Sequence, residues 1–542
     1  MGVGYMSDRE PTDGPPDGIA AAVLESVPES LDAFLADRVE RFADRPLLDY
    51  FEKGRTVTYS EFSRFVDEAT SALVAAGVQP GDRVGVLLPN IPLFPVLTFA
   101  LARVGAICVP INTRYTSTEL DYVANDAAID WLIVSDDLRG AVSDAEVFNR
   151  LPDSNILRPH TNEVRLELNG AVRDDIGGLD HQVSLDEVTH IQYTSGTTGF
   201  PKGCLLTQRY WLTAAASYAA TGRGRARALE DSPYFYMSGP LLLTVTIWSG
   251  GTTMIPNRPS LTRLLSWLAE YDIDWCWLPP QLLKFPESEL DRAHNLDAAS
   301  IYATEPEQIK AIEARFGVAV RDAWSMTETG FGTYVPRDQP EMMYDRSIGI
   351  PMPLREFKIV DEELNELPNG EAGELCVRGP GMFLGYHNRP DANAELLIDG
   401  GWFRTGDIAR RDDRGWLYFL GRAKDMVRRS GENISCAEVE AAICLMPEVR
   451  DCAVLAVPDE WRDEEVKVYV VLMDGFDKAS VTPDMITNWA ADRLASFKVP
   501  RYVEYRDELP LTPSDKVAKG VLREEKGDLR EDSYDRVDGV WR

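Results

Sequence analysis

The hydrophobic and polar positions of the first four hundred residues alternate between strand-like and helix-like patterns. Two short apolar runs, residues 83–89 and 106–111, have the length of buried strands, and residues 94–103 between them predict a helix. This alternation is typical of α/β layers built on mostly parallel sheets. The run 237–258, which is uncharged up to Arg258, is broken by Gly and Pro, so it predicts a buried helix followed by a strand and not a membrane span.

The pattern changes in the last part of the chain, which predicts a small α+β unit. Ser435 begins a capping pattern for one helix, and Thr482-Pro483 begins another. Strands are predicted at 451–457 and 465–473, and the charged residues after 525 predict a loose polar tail. We therefore expect a disordered leader at 1–18, an N-terminal domain at 19–423 and a C-terminal domain at 424–542.

Composition narrows the classes of function. Of 542 residues, 44% are hydrophobic and 27% charged, which is ordinary globular composition, and the net charge of −32 disfavours nucleic acid and anionic lipid as partners. The seven cysteines include no C-x-x-C pair, so reduced thiols and a cytoplasmic location are expected. The sequence contains neither a G-x-S-x-G nor an H-E-x-x-H motif, which disfavours a hydrolase.

The most informative segment is Tyr193-Thr-Ser-Gly-Thr-Thr-Gly-Phe-Pro-Lys-Gly203, between a predicted strand and a predicted helix from Thr207. Its glycines allow tight turns that present N–H groups to an anion, and Lys202 adds a positive charge. It is not a Walker A loop, because Pro201 precedes the lysine and Gly203 follows it. The candidate phosphate-binding residues are Thr194, Ser195, Gly196, Thr197, Thr198, Gly199 and Lys202.

Four further segments accompany this loop. They are Trp324-Ser-Met-Thr-Glu-Thr-Gly330, Gly401-Trp-Phe-Arg-Thr-Gly-Asp407, residues 421–434 and Leu509-Pro-Leu-Thr-Pro-Ser-Asp-Lys-Val-Ala-Lys519. In this order they resemble the motifs of the adenylate-forming (ANL) superfamily, which includes acyl-CoA synthetases, stand-alone adenylation domains and firefly-type luciferases. The resemblance implies a large N-terminal domain of layered α/β subdomains, with two mostly parallel sheets and a small β-barrel, followed by a small mobile α+β domain.

The resemblance also implies roles for individual residues. The loop at 194–202 would hold the β- and γ-phosphates of ATP, and Thr327 would contact the α-phosphate. Glu328 would bind Mg²⁺, a hard cation that takes carboxylate and phosphate oxygens. Trp324 would lie at the nucleotide, and Asp407 and Arg422 at the ribose.

A second group of implied roles lies in the C-terminal part. Lys516 would be the catalytic lysine, with Lys519 a weaker candidate, and Asp515 stands where the family usually has Gly. Lys424 would be the hinge. Gly431, Glu432 and Arg428 would contact coenzyme A, although Arg428 and Arg429 could equally be solvated surface charges.

The acid pocket departs from the family pattern. Tyr236 replaces a usual His and, with Ser238 and Gly239, is expected in this pocket. Other aromatic residues could approach it, namely Tyr234, Tyr302, Trp324, Trp275 and Trp277. They could surround a cationic, carnitine-like acid by cation–π attraction, or simply pack around an apolar acid.

The expected activity is ATP- and Mg²⁺-dependent formation of an acyl-AMP, followed by transfer of the acyl group to coenzyme A, by a monomer or homodimer. One alternative is an enzyme that loads a carrier protein or forms an amide. Another is a non-catalytic nucleotide-binding relative. The sequence does not name the acid.

Overall fold

The computed structural model describes residues 19–160, 163–167, 183–194, 201–222, 226–301, 304, 306–422, 425–429, 432–512 and 516–542. The expected leader at 1–18 lies outside them. The helices are α1 Ile19–Glu25, α2 Leu31–Phe42, α3 Tyr59–Ala76, α4 Leu93–Val104, α5 Ser117–Asp126, α6 Asp136–Ala141, α7 Val147–Arg150, α8 Gln208–Ala220, α9 Ser238–Ser249, α10 Leu264–Glu270, α11 Pro306–Phe316, α12 Glu341–Tyr344, α13 Pro390–Leu396, α14 Cys436–Cys444, α15 Pro483–Ala491 and α16 Lys519–Glu524.

The strands are mostly short. They are β1 Pro46–Tyr50, β2 Arg55–Thr58, β3 Arg83–Leu87, β4 Ile107–Pro110, β5 Trp131–Val134, β6 Ile156–Pro159, β7 Leu166–Glu167, β8 Val188–Thr194, β9 Lys202–Thr207, β10 Arg227–Leu229, β11 Thr252–Met254, β12 Trp275–Trp277, β13 Ala298–Ser300, β14 Val320–Arg321, β15 Thr333–Tyr334, β16 Ile350–Pro351, β17 Glu356–Val360, β18 Ala372–Arg378, β19 Leu397–Ile398, β20 Trp402–Arg411, β21 Leu417–Arg422, β22 Met426–Arg429, β23 Glu432–Ser435, β24 Val449–Asp459, β25 Asp463–Leu472, β26 Tyr502–Arg506, β27 Tyr534–Asp535 and β28 Val540–Trp541.

Two largely parallel sheets form the N-terminal part. One has the order β7-β6-β5-β3-β4-β8-β9 and the other β14-β13-β12-β10-β11-β1-β2. Helices α3, α4, α8 and α9 contribute to one core with residues from both sheets, such as Val84 and Leu48. Helix α4 is buried along nearly its whole length, which explains its almost continuously apolar sequence. The predicted α/β architecture is confirmed.

The run 237–258 contains helix α9 and strand β11, as expected of a buried helix followed by a strand. None of the helices in the described part of the chain has the length and the apolar run needed to cross a membrane.

A smaller antiparallel sheet follows the two large ones. Strands β17, β18, β20 and β19 are neighbours in that order, and β21 pairs with β20. This five-stranded unit corresponds to the small barrel expected from the resemblance. In this sheet, Asp407 of strand β20 lies opposite Arg422 of the neighbouring strand β21.

The C-terminal sheet has the order β23-β22-β25-β26-β27-β28, with β24 paired to β25, and α14 and α15 pack on it. Ser435 and Thr482 cap these helices by accepting hydrogen bonds from Glu438 N and Met485 N, as the sequence predicted. The expectation of a loose tail was wrong. Residues 534–535 pair with β26, and the buried Asp535 binds Arg501 at 3.1 Å.

Candidate active site

The phosphate-loop motif joins two antiparallel strands. Strand β8 pairs with β9 in antiparallel register, with Val188 opposite Thr207 at one end and Thr194 opposite Lys202 at the other. The sequence placed this loop between a strand and a helix, but β9 intervenes before α8 begins. Gly203 permits the tight packing of this hairpin, since a Cβ there would lie 2.5 Å from Ile191 Cγ2.

One tyrosine, Tyr386, contacts both Lys202 and Glu328. The Lys202 ammonium lies 4.9 Å from the centre of the Tyr386 ring, and the Tyr386 hydroxyl donates to Glu328 Oε1 at 2.5 Å. Glu328 is buried, and its negative charge, together with burial, raises the pKa of Tyr386. The tyrosine therefore remains a protonated donor that fixes one carboxylate oxygen.

The segment that carries Thr327 and Glu328 is an irregular loop held by internal donors. The buried Arg355 guanidinium donates to Thr329 O at 2.7 Å and Phe331 O at 3.1 Å. The Tyr210 hydroxyl donates to Thr327 O at 2.9 Å. Because the backbone is fixed in this way, the partly exposed Thr327 side chain remains available to a ligand.

Asp407 is held from two directions. The Trp324 indole N–H donates to its Oδ2 at 2.7 Å, and the Arg422 Nε lies 2.8 Å from its Oδ1. Burial raises the pKa of Asp407, while Arg422 and the indole N–H act in the opposite direction. The negative charge of Glu328 also contributes to this shift, so the two carboxylates belong to one site.

Lys516 approaches these residues from the C-terminal part of the chain, in the segment between strand β26 and helix α16. Its side chain is exposed, yet surrounding protein desolvates the ammonium, and this effect and the positive charge of Arg422 lower the pKa of Lys516. Lys519 forms an ion pair with Glu440 at 2.8 Å instead. Tyr386 thus contacts both Lys202 and Glu328, and Arg422 pairs with Asp407. The charges of Glu328 and Arg422 act on Asp407 and Lys516 respectively.

A cavity of about 320 Å³ adjoins this arrangement through Ala323, the neighbour of Trp324 in the chain. Of the three residues predicted for the acid pocket, Ser238 lines it. Gly239 packs instead against Tyr234, whose Cα would lie 2.9 Å from an added Cβ. Tyr236 lies 3.5 Å from Asn112 Nδ2. The lining residues are Tyr218, Leu229, Glu230, Asp231, Ser232, Ser238, Leu241, Leu242, Val245, Trp275, Trp277, Ser300 and Ala323.

The predicted aromatic set is divided by the fold. Trp275 and Trp277 line the cavity, whereas Tyr234 is fully buried in the core and Trp324 binds Asp407. Tyr302 lies outside the described residues.

Several other predicted residues also lie outside the described part of the chain. They are Ser195, Gly196, Thr197, Thr198, Gly199, Lys424, Gly431 and Asp515. Glu432 begins strand β23, but its side chain is not described.

The two arginines left open by the sequence behave differently. Arg429 is buried and paired with Glu465 at 2.6 Å, which is an internal structural contact. Arg428 is exposed, lies 3.2 Å from Glu362, and lines a second cavity of about 350 Å³ together with Arg523. Its position at a cavity keeps it a candidate for anion binding.

Sequence reasoning missed three residues. Tyr386 belongs to no motif, and reaches the site because residues 384–387 bond to strand β9, as in His387 N to Gly203 O at 2.8 Å. Glu230 and Asp231 directly follow β10, and the carboxyl end of a strand in a parallel sheet is a usual ligand position. That signal was present in the sequence.

The described side chains thus place two carboxylates, Glu328 and Asp407, near the cations Lys202, Arg422 and Lys516. The AMP-binding enzyme model matches residues 35–387, and the AMP-binding enzyme C-terminal domain model matches residues 438–516. The chain therefore belongs to the family of AMP-binding enzymes.

Individual relatives narrow the class. The chain is 30% identical over 492 residues to a crotonobetaine/carnitine–CoA ligase of Proteus mirabilis, covering 87% of this chain and 94% of the relative. It is 33% identical over 483 residues to a feruloyl-CoA synthase of Amycolatopsis sp., covering 88% and 95%. The o-succinylbenzoate coenzyme A synthetase of Bacillus subtilis, solved with ATP and magnesium ion, has a TM-score of 0.79 at 25% identity, covering 91% of this chain and 99% of that one. The protein is an adenylating ligase of the acyl-CoA synthetase class.

Proposed function

We propose that the protein uses ATP to convert a carboxylic acid to an acyl-AMP with release of pyrophosphate, and then transfers the acyl group to the thiol of coenzyme A. The observation that carries this proposal is the pairing of Lys202 with Glu328 through Tyr386 and of Arg422 with Asp407, with Lys516 within the electrostatic influence of Arg422. The cations suit the phosphates of ATP, and the carboxylates suit Mg²⁺ and the ribose hydroxyls.

In the first step a carboxylate oxygen attacks the α-phosphorus, and pyrophosphate leaves. This step needs alignment of the two reactants and compensation of negative charge on the phosphates. Lys202, at the end of the hairpin loop, would hold the leaving phosphates, and Lys516 would supply a second positive charge. The Thr327 hydroxyl, on a loop fixed by Arg355 and Tyr210, would donate a hydrogen bond to the α-phosphate. The Asp407 carboxylate would accept hydrogen bonds from the ribose hydroxyls.

Glu328 has the chemistry to hold Mg²⁺. It is a buried carboxylate oriented by the Tyr386 hydroxyl, and Mg²⁺ commonly takes one or two carboxylates plus phosphate oxygens. The described residues contain no group of three His, Cys, Asp or Glu that could hold a metal ion without a ligand. When bound with ATP, the ion would neutralise phosphate charge.

The second step would require Lys516 to leave, so that a thiol can approach the acyl-AMP. We propose a C-terminal domain at 424–542 that turns about a hinge at Lys424 relative to residues 19–423. Supporting this, two contacts between these parts are polar and exposed, Arg428 with Glu362 at 3.2 Å and Arg346 with Glu438 at 3.9 Å. Exposed ion pairs of this kind contribute little and can be exchanged. Gly431, Glu432 and Arg428 would then contact coenzyme A.

The test uses Lys516→Ala, with Lys519→Ala as the matched control. Acid-dependent exchange of labelled pyrophosphate into ATP measures the first step, and release of acyl-CoA from supplied acyl-AMP measures the second. We expect Lys516→Ala to lower exchange by about 10²–10³-fold, as is typical when a charge-stabilising donor is lost, with little change in the second step. Lys519→Ala should retain exchange.

Equal loss of both steps in Lys516→Ala would contradict the proposed division of labour. Absence of exchange with every acid in a broad panel would contradict the activity itself.

The alternative acceptor is a carrier protein or an amine. It is distinguished by supplying the enzyme with acid, ATP and one acceptor at a time. Coenzyme A should give the fastest release of AMP, and faster release with an amine or a carrier thiol would favour the alternative.

A further inference from the structure

The cavity beside the nucleotide site contains acidic groups of its own. Glu230 and Asp231 line it, immediately after strand β10, and Glu230 is 3% exposed. One Glu230 oxygen, Oε1, accepts a hydrogen bond from Ser232 N at 2.9 Å, and the Ser232 hydroxyl also bonds this carboxyl. A carboxyl group can accept further hydrogen bonds beyond these two. The cavity thus contains an acidic group with unused bonding capacity.

No positive side chain in the described part of the chain balances these carboxyls. Within the described ranges, no Lys or Arg forms an ion pair with either residue, and none lines the cavity. Burial, followed by the neighbouring Asp231 charge, raises the pKa of Glu230 to about 8, and burial raises the pKa of Asp231 to about 6. Buried acids without a counter-charge are unfavourable, and a cationic ligand would relieve that cost.

Two indoles lie at the same end of the sheet. Trp275 and Trp277 line the cavity from strand β12, which is the parallel neighbour of β10 with Ala228 opposite Trp275. Indole rings are the best side-chain partners for a cation in cation–π contacts. The adjacent strand ends therefore present carboxyls and indoles to the same space.

The cavity also sets the direction of a bound acid. Ala323 marks the end next to Trp324 and Asp407, where the reacting carboxylate must lie. A substrate carboxylate would be repelled by Asp231, whose pKa of about 6 leaves it ionised at neutral pH, so the carboxylate would lie at the Ala323 end. Apolar residues such as Leu241 and Val245 line the cavity as well and suit a short aliphatic chain.

We propose that the acid accepted by this enzyme carries a positively charged nitrogen at the end remote from its carboxylate, held by Glu230, Asp231 and the indoles of Trp275 and Trp277. The inference rests on the proposed function, because it takes this cavity as the acid pocket. A neutral apolar acid would fill the aliphatic part but leave the carboxyls without a partner.

The test compares matched pairs of acids in acid-dependent pyrophosphate exchange. Each pair has a trimethylammonium group or a neutral tert-butyl group at the end of the same aliphatic chain, at several chain lengths. We expect kcat/KM to favour the cationic member by tenfold or more. Glu230→Gln and Asp231→Asn should lower this ratio several-fold with less change for the neutral member, and the exposed control Glu371→Gln should leave it unchanged.

Equal or faster exchange with the neutral members would overturn this inference while leaving the proposed function intact. Absence of exchange with all acids, cationic and neutral, would instead contradict the proposed function. The inference of a cationic substrate would also be overturned if the ratio of kcat/KM for cationic and neutral acids stays unchanged in both carboxyl variants. Thermal unfolding must show that both variants are folded.

Discussion

Single side chains in this site divide into those that a motif carries and those that only the fold brings in. Lys202, Glu328, Asp407 and Lys516 could be named from the sequence because each lies in a segment of recognisable order. Tyr386 could not, because it reaches Glu328 through pairing of distant backbone segments. Its function as a donor depends on a contact that no local pattern records.

We predict that Tyr386→Phe weakens the use of Mg²⁺ and slows adenylation. The substitution removes the hydroxyl that orients Glu328 and keeps the ring below Lys202. A hydrogen bond to a charged group contributes about 1.5–3 kcal/mol, so the rate should fall roughly ten- to a hundredfold. Pyrophosphate exchange measured against Mg²⁺ concentration gives both effects.

Tyr418→Phe is the matched control, since its hydroxyl binds Asp412 and Asp345, outside the site cluster. The interpretation of Tyr386 fails if both variants show the same Mg²⁺ dependence.

Arg422 should set the alkaline limit of adenylation. Its positive charge disfavours the protonated form of Lys516 and thereby contributes to the lowered pKa of that lysine. Removing the charge in Arg422→Gln raises this pKa, so the loss of activity at alkaline pH should occur at higher pH. Rates of pyrophosphate exchange measured across alkaline pH give the position of the alkaline limb of the pH–rate profile. This position does not depend on the lower overall rate of the variant.

Arg410→Gln, on strand β20, serves as the comparison. An unmoved limb in Arg422→Gln, or one displaced to lower pH, would show that the lysine is not the titrating group.

Among helices, strands and loops, regular elements were predicted well and connections poorly. Strands β3 and β4, helix α4 and the capped helices α14 and α15 follow local apolar patterns and capping residues. Strand β9 and the hairpin β27–β28 were missed because their stability comes from partners distant in the sequence, such as Arg501 for Asp535. The loop at 324–330 has its own turn, in which Met326 N donates to Thr329 Oγ1 at 3.1 Å, but it also depends on the distant Arg355.

Replacing Arg355 by Met should therefore damage both stability and catalysis. The buried guanidinium donates to carbonyls of Thr329, Phe331 and Pro380, which would lose their partner. Each unsatisfied buried acceptor costs about 1–3 kcal/mol, so the free energy of unfolding should fall by about 3 kcal/mol or more. Urea unfolding and pyrophosphate exchange measure the two effects.

Arg378→Met removes a more exposed arginine paired with Glu356 and should cost less than about 1 kcal/mol. Similar losses in the two variants would show that Arg355 has no special bracing function.

The molecule as a whole combines strong negative charge with a local positive cluster. Its net charge of −32 repels an anionic ligand at long range, so binding of ATP depends on the few cations gathered at the site. Composition could indicate the first property, but only the fold brings Lys202, Arg422 and Lys516 to one place.

We predict that salt stabilises the protein. Raising NaCl from about 0.05 M to about 1 M shortens the screening length from more than 10 Å to about 3 Å, which reduces repulsion among the excess carboxylates. The temperature of half-unfolding should rise. Sucrose at matched osmolality controls for preferential exclusion, and an equal rise in sucrose, or none in salt, would contradict the electrostatic explanation.

The backbone around Lys516 has a consequence for the timing of the proposed cycle. Thr512 N donates to Lys516 O at 2.7 Å, Lys516 N donates to Thr512 Oγ1 at 3.2 Å, and Leu511 bridges Val517. The lysine is thus held in a local hairpin by hydrogen bonds between the residues on its two sides, so it would move together with that hairpin. In the proposed cycle its departure would move the whole folded C-terminal domain through the solvent. Turnover should therefore slow as the viscosity of the solvent increases.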